Sequence, residues 1–158
     1  MSKYISVFNR VKQVYTVFKA IAERSLYMEE VLKFLKENPT YYLATMDGDQ
    51  PRVRPFGTIS LFEGKLYFQT GHVKQVYEQL TANPKIEICV TSHDGCWLRL
   101  TATAVRDDRS EARAAVLDDY PSLKKMYAPD DGNCEVFYLK DATAVFSSFT
   151  AEPRTVTF

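Results

Sequence analysis

The sequence predicts an antiparallel β-barrel, a mainly β fold with helices covering its ends. Three observations lead there. Strand-like runs are joined by tight turns, helical runs fall between the hairpins, and no regular βαβ alternation occurs. The 158 residues suit one domain with an added terminal element. A hydrophobic content of 46% with 13% aromatic residues is enough for a real core.

Each element has its own local signal. Val7, Val11, Val14, Tyr15 and Phe18 recur at helical spacing, which predicts an amphipathic helix in the first 27 residues. Met28 opens a second helix over 29–37, with Val31, Leu32 and Leu35 on one face and Asn38-Pro39 as its stop. Residues 1–27 are therefore read as an N-terminal helical extension, or as an upstream start to the reading frame. Residues 28–158 form the domain. Residues 41–46 read as a strand, Asp47-Gly48-Asp49 as a hairpin turn, and 51–61 as a second strand. Pro51 and Pro55 put that second strand at an edge or a bulge.

Glu63-Gly64 turns the chain into a third strand over 65–70. A helix is expected from Val73, with Val73, Val76, Tyr77 and Leu80 on one face and Asn83-Pro84 at its end. Strands over 86–91 and 97–105 follow around His93-Asp94-Gly95. Ser110 caps a helix through Leu117, and 121–126 adds a turn. Two last strands, 134–139 and 142–149, are joined at Lys140-Asp141.

Composition excludes several classes. The 20 basic and 20 acidic residues cancel, without the basic surplus or stripe of a nucleic-acid-binding protein. No run of roughly 18 apolar residues occurs, so no membrane span is expected. The basic residues Lys3, Arg10 and Lys12 precede neither a compact apolar core nor a small-residue cleavage site, unlike a signal peptide. Cys89, Cys96 and Cys134 are odd in number and widely spaced, and read as reduced thiols of a cytoplasmic protein. With His72 and His93 the only histidines, a His-rich metal site is excluded, and no metal is predicted. Asp130-Asp131-Gly132-Asn133 lacks EF-hand spacing and its terminal Glu, so it is a turn.

No GxGxxG, Walker, GxSxG or HExxH pattern is present. No side chain is an obvious general acid, and any chemistry falls to a cofactor. Within 50–57, Arg52, Arg54 and Phe56 share one face of a strand, and Val53 and Pro55 the other. Two arginines beside an aromatic call for an anion, unless both are solvated at an edge. Within 69–74, a strand passes through Gly71 into a helix start, where free N–H groups and Lys74 favour an anion. The plain alternative is a lysine extended into water. Trp97 reads as a core aromatic, His72 as a helix cap, and Tyr41 and Tyr42 as core and rim.

These residues resemble a known family. Tyr42-Leu43-Ala44-Thr45, Gly48 and Gln50-Pro51-Arg52-Val53-Arg54-Pro55-Phe56 are similar to the pyridoxamine 5′-phosphate oxidase-like flavoproteins. So are Leu66-Tyr67-Phe68-Gln69-Thr70 and Gln79-Leu80-Thr81-Ala82-Asn83-Pro84 before Ile86-Glu87-Ile88. The likeness covers about 28–149. It implies an FMN-binding split β-barrel that pairs as a homodimer with flavin at the interface. On matching positions Arg54, Thr70 and Lys74 would hold the phosphate. Arg52, Val53, Pro55 and Gln69 would lie along the isoalloxazine and ribityl chain. Trp97 and Phe149 would reach the flavin, one of them from the partner chain.

The tail 147–154 lacks the Trp- and Arg-containing segment of genuine pyridoxamine phosphate oxidases, so that activity is not expected. The short form is similar to the branch associated with nitroimidazole reduction. The resemblance therefore implies an FMN-dependent oxidoreductase that passes electrons from NADH or NADPH to a small acceptor. The other readings are non-catalytic FMN binding, storage or electron transfer, and the same fold with deazaflavin or haem.

Overall fold

The computed structural model describes the backbone of residues 2–158, and the side chains of residue 10 and of residues 12–158. The chain opens with helix α1, Ser2–Glu37. Seven strands follow in one sheet: β1 Tyr41–Asp47, β2 Gln50–Phe56, β3 Ser60–Phe62, β4 Lys65–Gly71, β5 Lys85–Thr91, β6 Trp97–Asp107 and β7 Cys134–Ser147. A short strand, β8 Arg154–Thr157, pairs with β7. Helix α2, Gln75–Ala82, joins β4 to β5, and α3, Ser110–Asp119, follows β6.

The two helices expected on either side of Met28 are one unbroken helix. Only its C-terminal turns pack: Met28, Val31 and Leu35 are buried, whereas Val14, Tyr15, Phe18 and Ile21 are exposed. Val7 and Val11 of the expected apolar face lie outside the described side chains. Among the described residues no helix is long and apolar enough to cross a membrane.

The sheet runs β2-β1-β5-β6-β7-β4-β3, with every pairing antiparallel. Its two outermost strands, β2 and β3, are consecutive in sequence and joined by residues 57–59. Three residues reach no more than ~14 Å between flanking Cα atoms, so the two edges must lie close together and the sheet rolls into a barrel. Side chains close the seam. Tyr41 Oη donates to the Thr58 carbonyl at 2.6 Å, and the Gln69 amide donates to Thr58 Oγ1 at 3.0 Å.

Three sequence expectations change here. The single strand over 51–61 is two strands at opposite edges of the sheet, broken at Gly57, where a Cβ would come 3.3 Å from the Pro39 carbonyl. The last hairpin is one long strand, β7. Asp141 takes a left-handed φ of 52°, and a register shift opposite Thr101/Thr103 bends β7 without reversing it. The first half of β7 pairs with β4 and the second with β8, which splits the barrel. Helix α2 begins at Gln75, not Val73, and Val73 is 82% exposed.

Inside the barrel Leu43, Ile59, Phe68, Ile88, Leu100 and Phe137 are buried together. They come from β1, β4, β5, β6, β7 and the 57–59 crossover. A smaller cluster on the outer face, Tyr67 and Val136 against Ala112 and Val116, seats α3.

Candidate functional site

Strand β2 lies at the sheet edge, so its side chains divide cleanly. Val53 is 68% exposed and Pro55 is exposed on one face, while Phe56 turns inward against Tyr41 and Phe68. Arg52 stays in solvent and pairs with Asp47 at 3.2 Å. Arg54 is half-buried. Its Nη1 donates to the Leu43 carbonyl at 3.1 Å and to Thr45 Oγ1 at 2.7 Å, and its Nη2 donates to Gln79 Oε1 at 2.6 Å.

All three acceptors are neutral. Burial, with Arg52 close by, lowers the pKa of Arg54 from its ordinary value, which is the direction for a cation without a counter-charge. Thr45 and Gln79 are themselves buried and bonded to each other at 2.6 Å, so Arg54 is held in one orientation by a fixed polar frame.

Gln79 belongs to α2, and the turn that starts this helix carries the second half of the site. Gln69 and Thr70 are buried at the end of β4. Gln69 Nε2 donates to the Thr70 carbonyl at 2.6 Å. Thr70 Oγ1 is buried without a hydrogen-bond partner, a cost that a water, an ion or a ligand would offset.

The turn over 71–74 is held from β7 and the loop before it. The His72 amide donates to the Asn133 carbonyl at 2.8 Å, and the Val73 amide to Asn133 Oδ1 at 3.3 Å. Gly71 is required for this closeness: a Cβ there would meet Asn133 Oδ1 and Tyr127 Oη, each at 3.2 Å. Lys74 occupies the N-cap position with no capping side-chain bond, and its side chain is exposed. The Lys74 N–H donates to the Gly71 carbonyl at 3.1 Å and the Tyr77 N–H to the Lys74 carbonyl at 2.9 Å, which leaves the N–H groups of Gln75 and Val76 at the helix start.

His72 does not cap the helix. Its Nδ1 lies 3.1 Å from Glu135 Oε1, and its ring lies against Tyr77, tilted by 42° with centroids 4.3 Å apart.

Arg54, through Gln79, and Lys74 are thus tied to α2, which follows Gln69 and Thr70 of β4 and leads into β5. Trp97 is placed elsewhere. It starts β6 opposite Thr91 and Ser147, whereas the α2 turn lies toward the Asp107 end of that strand. Ten residues of strand separate those ends by ~33 Å. Trp97 meets Phe149 with ring centroids 5.1 Å apart, beside a cavity of about 430 Å³ also lined by Phe34, Phe146 and Arg154.

Sequence reasoning passed over Thr45, Gln79, Asn133 and Glu135. Gln79 had a usable signal, a glutamine on the same helical face as Val76 and Leu80. Thr45 stands in the family-like segment 42–45 without an assigned role, and nothing local marked Asn133 or Glu135.

The sequence matches the family described as pyridoxamine 5′-phosphate oxidase over residues 27–146. It is 41% identical to a NimC/NimA family protein from Clostridium acetobutylicum of solved structure. That likeness covers 87% of this chain and 96% of the other, with a TM-score of 0.84. Two more distant structures share the fold. General stress protein 26 from Bacillus anthracis str. Sterne is 17% identical over 84% of this chain and 98% of its own, TM-score 0.65. A heme binding protein from Mycobacterium smegmatis is 17% identical over 87% of this chain and 57% of its own, TM-score 0.61. No curated protein matches the sequence.

Proposed function

The chain belongs to the pyridoxamine 5′-phosphate oxidase family, and from that premise we propose that it binds FMN and acts as an oxidoreductase. The observation that carries this reading is Arg54, a half-buried guanidinium whose three side-chain bonds all go to neutral oxygens. A phosphate brought to it supplies the missing negative charge in a site already short of water. The unpartnered Thr70 hydroxyl supports the same anion, as do the open helix start and Lys74.

In this reading Arg54, Thr70 and Lys74 hold the phosphate. Gln69, Arg52, Val53 and Pro55 flank the ribityl chain and ring, where the open edge of β2 leaves room for a planar group. Trp97 and Phe149, remote along β6 from the α2 turn, wall the ring of the other subunit in a homodimer. The bound flavin supplies two-electron transfer from NADH or NADPH to a small acceptor. The protein contributes orientation, fixed electrostatics and exclusion of water.

The visible spectrum of the purified protein tests the cofactor. Flavin bands support FMN, while a Soret band, or a colourless sample that added FMN does not change, overturns it. Anaerobic addition of NADH or NADPH tests the enzyme: bleaching at a catalytic rate supports a reductase, and flavin that stays oxidised makes the protein an FMN carrier.

A further inference from the structure

Glu135 carries a buried charge with more partners than its own neutralisation requires. Its side chain is 4% exposed, a costly place for a carboxylate unless it is paired. Arg106 pairs with it fork to fork, Nε to Oε2 at 2.7 Å and Nη2 to Oε1 at 3.0 Å. That alone meets the cost. Yet Oε1 also takes His72 Nδ1 at 3.1 Å, on the turn between β4 and α2. Burial works against ionisation, and the hydrogen bonds from Arg106 and His72 outweigh it, so the carboxyl titrates below its ordinary value.

The contacts around this group converge on one turn. Tyr77 of α2 packs against His72, and the Arg106 guanidinium lies 5.8 Å from the same Tyr77 ring. Across the β4–β7 pair, Glu135 stands directly opposite Thr70, whose hydroxyl is buried and unpartnered. The backbone pairing of residue 135 therefore fixes Thr70, while its carboxylate holds His72 two residues ahead.

We infer that Glu135 is a positioning residue. Acting through His72, it sets the path of the turn over 71–74, so that the Thr70 hydroxyl, the first N–H groups of α2 and Lys74 address a single phosphomonoester. This rests on the reading of that turn as the FMN phosphate site. The carboxylate does not repel the phosphate, because Arg106 neutralises it and its oxygens are occupied by Arg106 and His72. Convergence within a few tenths of an ångström is what a second layer of support provides to a binding group.

Riboflavin, which lacks only the phosphate, separates this role from a general one. The full-length apoprotein is titrated with FMN and with riboflavin by flavin fluorescence, for wild type, Glu135→Gln, His72→Phe and Arg54→Ala. His72→Phe keeps a ring on Tyr77 and removes Nδ1 on an exposed turn, so it tests the contact even where Glu135→Gln fails to fold. The expected result for both positioning variants is an FMN affinity lowered about tenfold, with riboflavin affinity unchanged. Equal losses for both ligands would make Glu135 a merely structural residue and overturn the inference. A wild-type FMN-to-riboflavin ratio in both positioning variants, with that ratio lost in Arg54→Ala, also overturns it while the phosphate site stands. Equal wild-type affinity for FMN and riboflavin removes the phosphate site itself.

Discussion

Arg54 donates to the side-chain oxygen of Gln79 at 2.6 Å, so edge strand β2 is fastened to the helix that follows the turn over 71–74. The link joins two segments 25 residues apart and leaves the guanidinium without a carboxylate. It makes α2 the shared support of Arg54 and Lys74.

Removing the charge is expected to weaken FMN binding and to spare the fold. Arg54→Ala should lower FMN affinity about 10- to 100-fold, since hydrogen bonds to a charged group contribute roughly 1.5–3 kcal/mol. Lys74→Ala should lower it less, because that side chain is exposed and screened by water. Equilibrium dialysis against FMN, with circular dichroism as the control on folding, measures both. Unchanged affinity in both variants refutes the phosphate assignment.

A second phenol, beside Tyr41, holds the crossover that closes the barrel. Tyr120 Oη accepts the Ile59 amide at 2.9 Å and donates to the Ile59 carbonyl at 2.9 Å. Tyr120→Phe deprives both main-chain groups at once and is expected to cost about 1–3 kcal/mol in urea unfolding. A loss below a few tenths of a kcal/mol would show that water takes over the bonds.

Acid should reveal Asp107. The side-chain bond from Arg109 outweighs burial and holds its carboxyl at about 2, assisted by the Arg109 amide and Tyr67. A depressed carboxyl stabilises the fold above its unfolded pKa and loses that contribution as pH falls through the folded value. Here that window runs from about pH 4 to about pH 2. Denaturant unfolding across this window should show a slope in wild type that Asp107→Asn flattens, with up to about 2 kcal/mol at stake. Identical slopes would place the acid sensitivity elsewhere, Glu135 being the next group to test.

The part of α1 before Met28 should be separable from the barrel. Val14, Tyr15, Val17, Phe18 and Ile21 are each more than half exposed, and burial begins at Met28. A chain begun at Met28 is expected to unfold within about 0.5 kcal/mol of the full chain and to retain flavin as well. A larger loss of either would make residues 1–27 part of the folded unit.

The class of the fold and most of its elements are legible along the chain, because those depend on short-range physics. Proline cannot continue a helix, so Asn38-Pro39 and Asn83-Pro84 end α1 and α2 where expected. Gly48 takes a φ of 62° in the tight turn between β1 and β2. Period-two alternation placed Arg52, Arg54 and Phe56 on one face, and the strand–glycine–helix pattern marked the turn after Thr70.

Which strand each residue joins depends on contacts between segments far apart in the chain. The run over 51–61 alternates equally well as one strand or two. What breaks it is the approach of Gly57 to Pro39 and the need for β3 to reach β4. Lys140-Asp141 carries a true turn signal, yet pairing with β6 on both sides of it keeps β7 in one piece. β8 is four residues long, and its identity as a strand comes from its pairing with β7. The candidate site divides in the same way. Its charged residues stand in readable local patterns, whereas Gln79, Asn133 and Glu135 act across 25 to 63 residues of chain, where no sequence periodicity reaches.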